Sequence, residues 1–188
     1  MDRKKIKLEA KSIIHGNVGI LFLCALLVSV MAGVASSIPL ASFIVVPCFS
    51  LSTAIIYLNL FKKREPEIEN IFWGFKDFER AVIAGLLMYL YTFLWTLLFI
   101  IPGIIKSYAY SLTQFILAED PKISSQDAIK KSEEMMMGHK WEMFVLDLSF
   151  IGWHLLGCIT FGLIYIYAGP YMNAAKTNFY LNLKKIEK

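Results

Sequence analysis

Few residues of this chain could do chemistry in an apolar setting. Asp147 lies inside one long apolar run and Lys176 lies at a matching place in the next. A charge held in hydrocarbon is costly, so such residues mark a pairing or a proton or cation relay. Asp147 precedes Phe161 by 14 residues and Lys176 follows Gly162 by 14, so a hairpin turning at Phe161-Gly162 sets them at similar depth. We read a structural ion pair, with a relay, or a snorkelling Lys176 beside a hydrated Asp147, as the alternatives. His154 follows Asp147 by seven residues, on the same helical face, with Cys158 one turn further. One histidine without further ligands at suitable spacing reads as a hydrogen-bonded interior residue rather than a metal ligand. Ser107, Ser111 and Gln114 recur at i, i+4 and i+7 beside Tyr110. A stripe of that kind bonds across neighbouring helices or lines a small polar cavity.

No HExxH, GxSxG, P-loop, GxGxxG or paired-carboxylate arrangement occurs, and loops of about twenty residues leave no room for a cytosolic catalytic domain. The expectation is a protein that is not an enzyme, with no catalytic residues, no cofactor and no metal. Cys24, Cys48 and Cys158 all fall in apolar runs without CxxC or Cys/His spacing and read as inert interior residues.

The elements that must hold these side chains are set by composition. Of 188 residues, 57% are hydrophobic and only 18% charged. Soluble domains sit near 45–50% and about 25%. The apolar residues form long runs, as spans through lipid do. The runs are Val18–Ile38, Leu40–Phe61 with Pro47 inside, Ala81–Ile101, Ile104–Ala118, Met143–Thr160 and Phe161–Leu183. The first is too long for a cleaved signal core and a second follows at once, so we keep it as a span. The stretch Ile104–Ala118 is short, bounded by Pro102-Gly103 and Glu119-Asp120-Pro121. We read Pro102-Gly103 as the turn of a central hairpin.

Three amphipathic segments alternate with the runs. Residues 3–15 set Ile6, Ala10, Ile13 and Ile14 opposite Arg3, Lys4, Lys7 and Lys11, as a helix on a membrane surface does. From Pro66 a second face collects Ile68, Ile71, Phe72, Phe75 and Phe78. Ser124 to Asp127 resembles a capping box ahead of a third helix over Ala128–Met137, with the Met135–Met137 cluster on the lipid surface. The net charge of +4 does not indicate a nucleic-acid binder, since only Arg3, Arg64 and Arg80 are arginines and the lysines flank apolar runs. With six spans, 18 of the 19 Lys and Arg residues fall on one side and Lys106 alone near the other. The positive-inside rule makes the crowded side cytoplasmic. The expected architecture is all-α: a polytopic membrane bundle of six transmembrane helices in three hairpins, with amphipathic helices on the cytoplasmic side and both termini cytoplasmic. Residues 1–188 form one integral membrane domain. Gly16, Gly74 and Gly138 recur before each hairpin, which reads either as a three-fold repeat over 3–61, 66–119 and 124–183 or as what any compact membrane hairpins share.

Phe99-Ile-Ile-Pro-Gly-Ile-Ile-Lys-Ser-Tyr-Ala-Tyr-Ser, Ala128-Ile-Lys-Lys-Ser132, Met137-Gly-His-Lys-Trp-Glu-Met-Phe144 and Leu148-Ser-Phe-Ile-Gly-Trp153 resemble the small bacterial integral-membrane proteins known as domain of unknown function 975. The Pro-Gly-Ile turn with the Ala-x-x-x-Ser helix and glycine is more distantly similar to the membrane domain of some glycerophosphodiester phosphodiesterases. The resemblance implies a bacterial plasma-membrane protein and carries no catalytic residues across. The expected function is non-catalytic binding of lipid or a membrane-protein partner in envelope homeostasis, with a small transporter or channel as the alternative. Expected partners are membrane lipids and another membrane protein or a second copy of the chain.

Overall fold

The computed structural model describes residues 3–160 and 162–186, and the regular elements among them are all helical. In chain order these are α1 (Arg3–Ile14), α2 (Val18–Ser36), α3 (Pro39–Phe61), a 3-10 helix (Ile68–Phe75), α4 (Phe78–Leu98), α5 (Ile100–Ala109), α6 (Thr113–Glu119), α7 (Ser125–Met135), α8 (Lys140–Leu148), α9 (Ile151–Ile159) and α10 (Tyr165–Ile186). Four segments are long and apolar enough to cross a membrane: Val18–Ala35, Ala41–Phe61, Phe78–Leu98 and Lys140–Ile159. This is a membrane protein.

The other two apolar runs are built differently. Ile104–Ala118 is not one helix. It is divided between α5 and α6, with Tyr110–Leu112 between them. The break is held from outside, since Ser132 Oγ of α7 donates to Ala109 O (2.7 Å) and accepts from Leu112 N (3.1 Å). The central turn falls at Phe99, whose backbone is extended, rather than at Pro102-Gly103. Pro102 sits in the first turn of α5, where a missing N–H costs nothing. Gly103 lets α5 close onto Thr96 of α4, where a Cβ would overlap the threonine side chain. The last run becomes α10, long enough to cross but carrying Asn173, Lys176, Asn178 and Asn182. Phe161 of the expected turn lies outside the described residues, and Gly162 beside it takes a left-handed φ of 86°.

The first and third amphipathic segments turn much of their apolar faces onto protein, whereas on the second only Ile71 is buried and Ile68, Phe72 and Phe78 stay exposed. Ile6, Ala10 and Ile14 of α1 are buried, and the helix is tied to α10 by Asn178 Nδ2, which donates to Ile6 O (3.0 Å) and Glu9 Oε2 (2.9 Å). The second segment is a 3-10 helix against α3, where Gly74 N donates to Ser52 Oγ (2.8 Å). The third, α7, begins three residues before the expected Met-rich helix, capped by Ser124 Oγ accepting from Asp127 N (3.1 Å). It buries Ser125, Ala128, Ile129, Ser132 and Met135. Of the methionine cluster placed on the lipid surface, Met135 and Met136 are core residues and only Met137 is exposed. Gly16 and Gly138 share a left-handed backbone, whereas Gly74 has a packing role, so the three glycines are not equivalent.

Two halves result. The core half gathers α1, the C-terminal parts of α3 and α10, the 3-10 helix, α6 and α7 around Phe49, Leu51, Leu58, Ile71, Leu117, Met136, Phe179 and Leu183, all buried. Arg80 knits it, donating to Ile123 O (3.0 Å) and Asp120 O (2.7 Å) while Ser125 Oγ donates to Arg80 O (2.9 Å). The turn half holds the α2–α3, α4–α5 and α9–α10 connections. Its side chains, among them Val34, Phe93, Leu97, Ile101 and Ile159, are exposed.

Candidate intramembrane polar site

Lys176 Nζ lies 3.2 Å from Asp147 Oδ1, joining α10 to α8. Both ionised groups are partly exposed, and their pairing lowers the cost of holding either charge among apolar helices. Lys7 of α1 reaches the α8–α9 junction, where Nζ donates to Ser149 Oγ (3.0 Å) and lies 4.3 Å from the Phe150 ring centre.

His154 meets a partner of its own rather than Asp147. The helix that the seven-residue spacing assumed is interrupted at Ser149–Phe150. The imidazole Nδ1 instead meets Tyr165 Oη at 2.8 Å across the α9–α10 turn. Cys24 and Cys48 are buried, whereas Cys158, read as interior, is exposed. No group of His, Cys, Asp or Glu able to hold a metal occurs among the described residues. Lys106, assigned to the far side by charge counting, is ion-paired with Glu133 of α7 and lies 5.1 Å from the Trp95 ring centre. The reason is that α7 rises alongside α4 and α5 instead of lying flat below them.

Ser107, Ser111 and Gln114 come together despite the break between α5 and α6. All three line a cavity of about 350 Å³ against Pro47, Ser50, Gly85 and Thr92. Ser111 and Gln114 also line a second cavity, of about 410 Å³, whose walls include Ser29, Thr53, Tyr57, Asn173, Lys176 and Thr177. Ser50, Ser111 and Gln114 belong to both linings. Two cavities of mixed, mainly apolar lining therefore adjoin through one wall of three polar residues. The larger sits between α2, α3, α6 and α10, and it runs about 12 Å along α2 from Leu21 to Ser29. Asp147 and His154 are in neither lining, so the six predicted residues divide into a cavity set, Ser107, Ser111, Gln114 and Lys176, and two others that meet separate partners.

A family model described as "Protein of unknown function (DUF975)" matches residues 1–107 and 96–187. The chain belongs to this family. No curated protein and no solved structure shows a significant match. For this DUF975 protein the cavity residues Ser29, Ser50, Thr53, Tyr57, Asn173 and Thr177 were missed in the sequence because each is a hydroxyl or amide set singly in an apolar run. Thr53 and Tyr57 at i, i+4, and Asn173, Lys176 and Thr177 at i, i+3 and i+4, were the available signal. Arg80 and Ser132 were missed because their partners are backbone carbonyls and amides, which no side-chain pattern reveals.

A second polar cluster closes the core half. Glu119 accepts from Tyr180 Oη (2.7 Å) and from Lys184, with Lys62 at 4.0 Å. Burial alone would raise the Glu119 carboxyl, but the bonds from Lys184 and Tyr180 and the charges of Lys184 and Lys62 hold it below its ordinary value.

Proposed function

We propose that this is a non-catalytic protein of the bacterial plasma membrane that binds lipid, crossing the bilayer six times with both termini cytoplasmic. The observation that carries the binding reading is the pair of adjoining open cavities, mainly apolar but sharing a wall of Ser50, Ser111 and Gln114, in a bundle whose turn half is clothed in apolar side chains. A protein that only filled space in the bilayer would be more stable with apolar residues there, because unpaired polar groups away from water cost free energy. Six crossings are supported by the way α5 and α6 together retrace α4. Gly103 lies against Thr96, Tyr110 faces Tyr91 at 6.2 Å, and Arg80 reaches Leu117 O at 3.5 Å. The fall of 18 of the 19 Lys and Arg residues on one side of a six-span chain supports the orientation.

The test is native mass spectrometry of protein purified in mild detergent. Retained lipid is expected, and a delipidated protein that keeps its fold and shows no preference among added lipids would sink the reading. For topology, a membrane-impermeant amine label at Lys122 should react only in opened cells; labelling in intact cells would remove the six-span orientation.

A second reading, a small carrier, is favoured by the shared wall of Ser50, Ser111 and Gln114, which makes a polar line from Lys176 to Thr92. Liposome flux of small polar solutes separates the two. A carrier loses flux on Gln114→Leu, and a lipid-binding protein shows none with either chain.

A further inference from the structure

The larger cavity is specific in which hydrogen-bonding capacity it leaves free. Ser29 donates its hydroxyl proton to Ala25 O (2.7 Å), Thr53 to Phe49 O (2.8 Å), Ser111 to Tyr108 O (2.8 Å) and Thr177 to Asn173 O (2.9 Å). A hydroxyl has one proton and two lone pairs, so all four keep accepting capacity, and Ser29, Thr53 and Ser111, which are not fully buried as Thr177 is, can offer it to a ligand. Gln114 is only 8% exposed, and its Oε1 has no hydrogen-bond partner. A buried acceptor without a donor costs free energy unless something else supplies the proton.

Charge narrows the ligand further. Lys176 is the one ionised residue in the lining, and Asp147 outside it answers that charge at 3.2 Å. An anion would bring more acceptors to a site already rich in them, and would compete with Asp147 for Lys176. A cation would meet the ammonium of Lys176 with no carboxylate in the lining. A neutral group with several hydroxyls answers both conditions, donating to the Ser, Thr and Gln oxygens and accepting from Lys176. The volume of about 410 Å³ suits a small ligand, and Val28, Ala54, Ile56 and Phe115 offer apolar surface to its carbon skeleton.

We infer that the cavity between α2, α3, α6 and α10 binds a neutral polyhydroxylated headgroup, a sugar carried on a lipid, through donor hydroxyls on the ligand. The inference rests on the lipid-binding reading and deepens it. The same hydroxyl chemistry could come from a free sugar, and the experiment separates the two sources.

The full chain is placed in phosphatidylcholine nanodiscs containing equal amounts of glucosyl-diacylglycerol and phosphatidylglycerol, released, and weighed with its retained lipids. Glucosyl-diacylglycerol should be retained in preference. Gln114→Leu and Thr53→Val should each lower that retention roughly tenfold, as loss of one buried hydrogen bond does. Lipid-stripped Gln114→Leu should melt no lower than the parent, since it sheds an unpaired acceptor. If Gln114→Leu cannot be purified, Thr53→Val carries the same comparison. Preference for phosphatidylglycerol that is lost in Lys176→Met would overturn the inference in favour of an anion site. Equal retention of every lipid by parent and variants overturns it while leaving lipid binding standing, whereas no retained lipid at all removes both. In a parallel arm, free glucose raising Tm as far as octyl glucoside at equal concentration would overturn the lipid source.

Discussion

The Ala41–Phe61 window of α3 is half buried, whereas the Val18–Ala35 window of α2, its hairpin partner, is 11% buried. The two helices are similarly apolar and joined by a short turn, yet α3 runs through the core half and α2 lies mostly at its edge. What differs is what each meets. α3 contacts α2, α4, the 3-10 helix, α6 and α10, while α2 meets mainly α3 and α10. Tight packing here comes from short, amphipathic and broken elements folding back onto the long helices. Where those are missing, in the turn half, apolar side chains are exposed. In lipid, apolar burial gives little drive for association, so close fit and hydrogen bonds do the holding. The core half has both.

The sharpest way to break this contrast is a volume change on each side. Gly74 sits so close to α3 that a Cβ would overlap the Cys48 carbonyl oxygen, whereas nothing lies within 4 Å of the same position at Gly33. Gly74→Ala should cost about 3 kcal/mol and Gly33→Ala should be near neutral, read as thermal unfolding in detergent. Equal effects would mean that the two halves do not differ in fit. Next in size is the ion pair joining α8 to α10. Asp147→Ala leaves Lys176 without its partner and should cost about 2 kcal/mol. Combining it with Lys176→Met should restore part of that loss, and strict additivity in the double variant would argue that the pair is not coupled.

Smaller again is the cluster at the end of the core half. Glu119 has a folded-state pKa below its unfolded value, so its contribution is present above the ordinary carboxylate range and is lost as pH falls through the folded value. Glu119→Gln should cost about 1 kcal/mol at neutral pH, and its melting curve should converge with the parent's in acid. A gap that stays constant with pH would remove the electrostatic account. The smallest effect is expected in the turn half, where Leu97 is 74% exposed and Ile101 71% exposed. Leu97→Ala and Ile101→Ala should each stay within about 0.5 kcal/mol. A large loss from either would show that this surface is covered by protein.

Much of this was legible in sequence because it depends on local pattern. The four long apolar helices, the α1 stripe of Ile6, Ala10 and Ile14, and the Ser124 cap are properties of consecutive residues. The register that sets Asp147 beside Lys176 needed only a count from the turn. Other expectations depended on helices being continuous, and they changed where the chain breaks. His154 pairs with Tyr165 beyond the interruption at Ser149–Phe150, and Lys106 meets Glu133 of α7. Of the cavity, Ser107, Ser111, Gln114 and Lys176 were visible as polar interruptions, but their shared wall was not. It requires α3 to supply Ser50 from across the bundle.

By itself the sequence determined that the chain is helical, that it belongs in a membrane, and which residues interrupt its apolar runs, because length, hydropathy and charge are additive along the chain. Only the tertiary structure decided where the interruptions meet. The division between α5 and α6 is held by Ser132, a residue 20 positions from Leu112. The unpaired oxygen of Gln114 arises from which helices surround it. Hydrogen-bond satisfaction is a property of neighbours in space, and it is there that this protein's chemistry resides.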